Sequence, residues 1–239
     1  MAPKRPKLGS MSERASNLTF GLSGLATVVM IVAGTALYPN AQVDGPAAGL
    51  TSAYVAHLGS LAISIDIQML TKIPFLIFAA GLWRRLNRAG HQELAAAFLI
   101  GAAMTVSVLA VWQASIGAAA LVGRYDSGAD LRPMAALVNA LDQVVTMPIA
   151  LILGAASLAM VRGSIGTRWL GWLGLVGAVM AVIGVFAVTD MNSVLGKANP
   201  IALLLFLIWM AGLSIVSLVG ARSSAGGGLR APEAASAGS

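Results

Sequence analysis

Six long apolar runs limit what this chain can fold into more than any other feature of its sequence. A helix needs about 20 mainly apolar residues to cross the hydrocarbon core of a bilayer. The runs span residues 18–38, 61–83, 94–123, 134–161, 169–189 and 200–220. The sequence therefore predicts an all-α fold, a polytopic membrane protein built as a bundle of six transmembrane helices.

Charge is too scarce here to cover a water-facing surface. Only 10% of the 239 residues are charged and 58% are hydrophobic, whereas soluble domains usually carry about 25% charged residues. The first run could be the core of a signal peptide, but such cores are typically about 7–15 residues long. We therefore expect an uncleaved first helix, with disordered tails over residues 1–17 and 221–239.

Basic residues predict how the helices are oriented. With the N-terminus inside, eleven Lys and Arg residues are cytoplasmic and three are outside, which leaves net charges of +8 inside and −3 outside. This asymmetry follows the positive-inside rule. We therefore predict that both termini are cytoplasmic (N-in/C-in). The spacing of Leu50, Tyr54 and Leu58 also predicts an amphipathic segment over residues 47–60, either on the outer surface or as an extension of the second helix.

Polar side chains inside the predicted spans are the candidate functional residues, because an ionisable group in a bilayer core costs at least about 2.5–3.5 kcal/mol. Counting at about 1.5 Å per residue places Lys72 near the membrane midplane. The polar stripes of the second and fourth helices are followed by Pro74 and Pro148, and we expect Pro74 to kink the second helix. The candidate cavity residues are Ser64, Asp66, Gln68, Thr71, Lys72, Gln113, Asn139, Asp142, Gln143 and Thr146.

Two interpretations of these polar residues stay open. In the first, they line an outward-facing cavity with Lys72 at its floor; in the second, they form a packed network that locks helices two, three and four together. Asp66 and Lys72 are six residues apart, about 240° around a helix, so we expect no ion pair between them. Small residues on the fifth helix predict close packing instead of a site: Gly171, Gly174, Gly177, Ala181 and Gly184.

The sequence offers little for catalysis. It has no cysteine and two histidines, so we predict no metal site and no cofactor, and a membrane-embedded enzyme is only a third hypothesis. The lack of catalytic residues favours an accessory, sensory or scaffolding membrane protein, with a homodimer or a membrane or cytoplasmic protein as partner. The alternative is a transporter or channel for a small solute or ion. We attribute the basic pI, near 10.3, to loops beside anionic lipid and not to nucleic-acid binding.

Two short motifs resemble an uncharacterised bacterial family of six-helix membrane proteins, domain of unknown function 4386. They are the stretch TRWLGWLG at residues 167–174 and the stretch GLWRRLN at residues 81–87, with Asp66 ahead of it. The resemblance covers most of the chain and implies a six-helix protein of the bacterial plasma membrane. That family has no established activity, so the resemblance implies no mechanism, and Lys72 has no counterpart in it.

Overall fold

A computed structural model describes residues 8–38, 56–126, 130–163, 165–186 and 197–226, with side chains from residue 14 to residue 221 of these ranges. The described secondary structure is helical and contains no strand, which confirms the predicted fold class at this level. The eight helices are α1 (Leu8–Leu37), α2 (Leu58–Leu70), α3 (Lys72–Arg88), α4 (Gln92–Tyr125), α5 (Arg132–Val144), α6 (Thr146–Val161), α7 (Arg168–Val185) and α8 (Ala198–Gly226).

These helices provide six stretches long and apolar enough to cross a membrane, numbered here as spans 1 to 6 in chain order. Spans 2 and 4 consist of two helices each, α2 with α3 and α5 with α6, and the other four spans are single helices. The prediction of a six-helix membrane bundle is confirmed to this extent.

The ends of the first and last helices differ from the prediction. α1 begins at Leu8, so residues 8–17 are helical and not part of a disordered tail, and α8 likewise includes residues 221–226. Extending an existing helix costs far less than nucleating one, so polar residues next to an apolar span can continue it. Residues 1–7, 187–189 and 227–239 lie outside the described residues, as does 47–55 of the amphipathic segment.

Each of the two prolines interrupts its helix by removing one hydrogen bond, while the backbone bonds of Thr71 and Val145, three residues before each proline, are intact. Pro74 has no N–H and cannot bond the carbonyl oxygen of Leu70, four residues earlier. α2 therefore ends at Leu70, although Thr71 keeps a right-handed helical backbone with φ −56° and ψ −26°. Span 4 repeats the pattern at Pro148, with the interruption at Val145, where φ is −63° and ψ is −20°.

The six spans form a closed ring in chain order. Each span packs against the next one, and α8 returns to pack along α1. We name the two ends of the bundle by their charge. The charged side chains of the basic end are mainly arginines, and the end that we call acidic carries three aspartates beside three cations. Those of the basic end include Arg84, Arg85, Arg88, Arg162, Arg168 and Glu93, and those of the acidic end include Asp126, Asp130, Asp142, Arg124, Arg132 and Lys197. The main apolar core, which includes Phe20, Phe78 and Trp209, fills the half of the ring nearer the basic end.

Small residues of span 5 let its neighbours approach closely. All five residues proposed for packing are buried: Gly171, Gly174, Gly177, Ala181 and Gly184. A β-carbon added to Gly174 would collide with Ser157 Oγ of span 4 and lie 2.8 Å from Trp209 Nε1 of span 6. The backbone of α7 therefore contacts side chains from the spans on both sides, which requires glycine at this position.

A methyl group at Gly174 should therefore destabilise the bundle. We expect Gly174→Ala to lower the free energy of unfolding by about 1–3 kcal/mol, the usual cost of overpacking, and so to lower the melting temperature in detergent. Gly117→Ala in α4 is the matched control, because a β-carbon there would meet nothing within 4 Å. Since alanine favours a helix over glycine by roughly 0.5–1 kcal/mol, the control should melt at the wild-type temperature or above. Equal melting temperatures for the two variants would contradict this account of the packing.

Candidate functional site

A cavity of about 340 Å³ lies within the ring and is lined by spans 1, 2, 3, 4 and 6. Toward the basic end it stops at Phe75, Ile149 and Phe206, which belong to the main apolar core. Toward the acidic end its walls include Tyr38 and Trp112, whose ring centroids are 5.8 Å apart. The cavity therefore occupies the acidic half of the bundle, and aromatic and aliphatic side chains close it toward the basic end.

The structure brings most of the predicted cavity residues to this space. Six of the ten line it: Gln68, Thr71, Lys72, Gln113, Asn139 and Asp142. Ser64 is buried and does not line the cavity, but it accepts a hydrogen bond from Gln68, which does. Asp66, Gln143 and Thr146 do not line the cavity, which corrects the prediction for these three. Asp66 is exposed on another face of α2, as its 240° offset from Lys72 requires, and the other two are buried elsewhere in span 4.

A chain of hydrogen bonds connects Lys72 to the backbone of α1. Lys72 Nζ donates to Gln113 Oε1, and Gln113 Nε2 donates to Gln68 Oε1 at 3.4 Å. Gln68 Nε2 in turn donates to Ser64 Oγ at 3.3 Å, and Ser64 Oγ donates to the Gly34 carbonyl oxygen at 2.7 Å. Spans 1, 2 and 3 are thus joined by polar bonds along one wall of the cavity.

Lys72 lies halfway along span 2, 14 residues after Leu58 and 16 before Arg88. Besides the bond to Gln113, its amine donates to Met69 Sδ at 3.1 Å. Both partners are neutral, and no described carboxylate lies within 4.0 Å of the amine. An ammonium group at this depth is expensive without an opposite charge, so the cavity beside it is where a compensating anion would bind.

Asp142 faces the same cavity from span 4. Asn199 Nδ2 of α8 donates to the Asp142 carbonyl oxygen and to its carboxylate Oδ2, both at 3.3 Å. This amide holds the carboxylate without neutralising it. A cation and a carboxylate therefore line one cavity without forming an ion pair, and the space between them can admit a ligand with charged or strongly polar groups.

The only ion pair among the residues with described side chains is exposed and lies apart from the cavity. Asp130 accepts hydrogen bonds from the Nε, Nη2 and backbone N–H of Arg132 at 2.7–3.0 Å. These bonds hold the pKa of Asp130 at about 2, so its carboxylate stays ionised at physiological pH. Exposed pairs of this kind contribute little to stability, and this one serves to fix the start of α5.

Sequence reasoning missed the contribution of span 1. Thr27, Ile31 and Thr35 line the cavity from α1 at four-residue intervals, and Tyr38 continues the same face. That spacing is visible in the sequence and predicts one helical face. Trp112 of α4 was also missed; its indole N–H is buried and has no acceptor among the described residues. That nitrogen has almost no accessible surface, so Trp112 contributes the rest of its ring, not its N–H, to the cavity wall.

Comparisons with known proteins identify no relative. No protein-family model, curated protein or solved structure matches this chain. The resemblance of residues 81–87 and 167–174 to a bacterial six-helix family therefore stays a prediction. Among the described residues, no group of three or more His, Asp or Glu is placed to bind a metal ion. The cavity and its two charges are thus the basis for inferring function.

Water access to the cavity can be tested directly, because the chain has no native cysteine. We expect Thr71→Cys in proteoliposomes to react with a hydrophilic maleimide at least about tenfold faster than Ile73→Cys. Thr71 lines the cavity, whereas Ile73 lies at the same depth, is 60% exposed on the outer surface of the bundle and does not line the cavity. Lipid would shield that outer surface from water. Equal protection of both cysteines would mean that the polar residues form a dry packed network.

Proposed function

We propose that this protein is a membrane transporter for a small solute, which binds in the central cavity with an anionic group against Lys72. The observation that carries the proposal is a lysine halfway along a span that faces a cavity and contacts no described carboxylate. Ionisable residues inside a membrane mark substrate or ion pathways by default. Solute binding would therefore explain why an energetically costly lysine lies at this depth.

The interrupted helices support the same proposal. Transporter binding sites typically lie near the bilayer midplane beside discontinuous helices. Here both interruptions border the cavity, at Thr71 in span 2 and at Val145 in span 4. Each proline leaves one carbonyl oxygen without its helical donor, that of Leu70 or that of Val144. Neither residue lines the cavity, so the polar groups available to a solute at this depth are the Lys72 amine and the neighbouring side chains.

The walls indicate the chemical class of the solute. Lys72 Nζ is a donor, and Ile31 and Leu109 add apolar surface. A volume of about 340 Å³ lies at the low end of the 300–1,000 Å³ typical of small-molecule sites. We propose a small organic anion with an apolar body, whose uncharged or cationic end lies toward Asp142.

The accessory or scaffolding hypothesis is the second candidate, and the hydrogen-bond chain from Lys72 to Gly34 favours it. That chain satisfies Gln68, Gln113 and Ser64 within the protein, as a purely structural network would. It leaves the neighbouring space unfilled, however, and it provides no partner of opposite charge for Lys72. Transport and packing therefore predict different consequences for removing the Lys72 charge.

Loss of the Lys72 amine should abolish transport without unfolding the protein. We expect Lys72→Met to reduce solute-induced currents in proteoliposomes at least about tenfold, as loss of a charge-assisted hydrogen bond implies. The measurement is solid-supported membrane electrophysiology with a panel of small aliphatic and aromatic carboxylates. Lys197→Met is the matched control, because Lys197 is exposed at the acidic end and does not line the cavity.

Two results would reject the transport proposal. The first is equal currents from the Lys72→Met and Lys197→Met variants, both with wild-type melting temperatures. The second is an absence of current from wild-type protein with every member of the panel. Either result would return the accessory hypothesis to first place.

We also propose that the acidic end faces outward and the basic end faces the cytoplasm, following the positive-inside rule. Tyr125 at the acidic end and Trp169 at the basic end are both exposed, at 81% and 58%, so they form a matched aromatic pair. In intact cells, an impermeant maleimide should label Tyr125→Cys and spare Trp169→Cys until the membrane is permeabilised. The reverse pattern would invert the proposed orientation.

A further inference from the structure

A second cation without a described carboxylate within 4.0 Å lies at the basic end, where spans 1, 2 and 6 meet. Arg85, near the end of α3, donates from Nη1 to Ser217 Oγ of α8 and from Nη2 to Asn17 Oδ1 of α1, both at 2.8 Å. Its guanidinium carbon lies 3.8 Å from the centroid of the Phe20 ring. Contacts with spans 1 and 6 therefore fix the guanidinium plane in one orientation.

Nothing in the described part of the chain neutralises this charge. Both acceptors are neutral, and no described carboxylate lies within 4.0 Å of the guanidinium. A guanidinium has five N–H donors in a planar fork, so three of those of Arg85 have no acceptor among the described residues. Phe20 covers one face of the plane, which leaves the edge of the fork as the place where an anion can bind.

A pocket of about 230 Å³ lies beside this edge. Its polar side chains are Asn17, Arg85 and Ser217, and the rest of its lining is aliphatic side chains, Met160 and glycine, with Leu82 and Val216 among them. One wall thus carries a positive charge while the others are apolar. A free inorganic anion would gain nothing from those apolar walls, whereas a molecule that joins an anionic group to hydrocarbon would contact both.

We propose that this pocket binds the phosphate group of an anionic lipid, with the adjoining glycerol and upper acyl chains against its apolar walls. Basic pockets between transmembrane helices on the cytoplasmic side suit anionic headgroups, and the arginine fork matches two phosphate oxygens. Four further arginines at this end raise the local concentration of anionic lipid: Arg84, Arg88, Arg162 and Arg168. The site is separate from the Lys72 cavity, so it does not depend on the proposed transport.

The test compares Arg85→Gln with Arg84→Gln by native mass spectrometry and by melting temperature in detergent. Both variants lose one positive charge at the same end, but Arg84 is exposed and does not line the pocket. The probes are phosphatidylglycerol, phosphatidylcholine and inorganic phosphate. We expect phosphatidylglycerol to bind to and stabilise wild type and Arg84→Gln, and its bound fraction to fall about tenfold or more in Arg85→Gln, because bonds to a charged group are lost.

Three results would overturn the proposal. Equal loss of lipid from both variants, or equal binding of phosphatidylcholine, would indicate general attraction to the basic end. Inorganic phosphate that reproduces the full shift would identify a free anion as the ligand. If Arg85→Gln fails to fold, Val216→Trp fills the pocket while leaving the bonds of Arg85 in place. Retention of phosphatidylglycerol by that folded variant would also exclude the pocket as its site.

Discussion

The hydrocarbon core of a bilayer contains no water, so each polar group of the six spans must find its partner inside the protein. The hydroxyl groups show how this is done within one helix: Thr27, Thr105 and Ser214 each donate to the carbonyl oxygen four residues earlier, at 2.8 Å. Longer polar side chains must reach a neighbouring span. The bond from Gln113 to Gln68 and the one from Ser64 to Gly34 join α4 to α2 and α2 to α1. The hydrogen bonds that satisfy these side chains therefore also hold spans 1, 2 and 3 in position.

The need for partners inside the protein also explains why Lys72 and Arg85 differ from the other polar residues of the spans. Among the described side chains, each has only neutral acceptors, so its hydrogen bonds are partly made and no described carboxylate balances its charge. Their depths differ: Lys72 lies midway along span 2, whereas Arg85 is three residues from the end of α3. A compensating anion at the first position must enter the protein, while at the second a lipid headgroup already lies at the right level. This difference in depth is the reason for proposing a solute at one cation and a lipid at the other.

Periodicity predicted which helical faces are polar, because a face depends only on positions along one helix. Gln68, Thr71 and Lys72 were found in this way, and Thr27 and Thr35 could have been. Periodicity cannot tell which neighbour a face meets. The pairing of Lys72 with Gln113, 41 residues away in sequence, depends on the order of spans around the ring. The position of Asp66, by contrast, depends on one helix alone, because its angular offset already placed it on a different face from Lys72.

Spans 2 and 3 share the least extensive contact of any neighbouring pair in the ring, and the bonds from Lys72 and Gln68 to Gln113 cross this boundary. Elsewhere the ring is held mainly by close apolar packing, as where Gly101 of α4 lies against the Pro148 carbonyl oxygen and Ile152 of span 4. The polar bonds between other spans, such as that of Ser64 with Gly34, do not involve the Lys72 amine. Apolar packing does not exchange partners with a solute, whereas a hydrogen bond does. An anion that binds the Lys72 amine competes directly with Gln113 for it. Solute binding would therefore act on the one boundary whose cohesion depends on that amine, and this links the proposed site to the least tightly packed part of the ring.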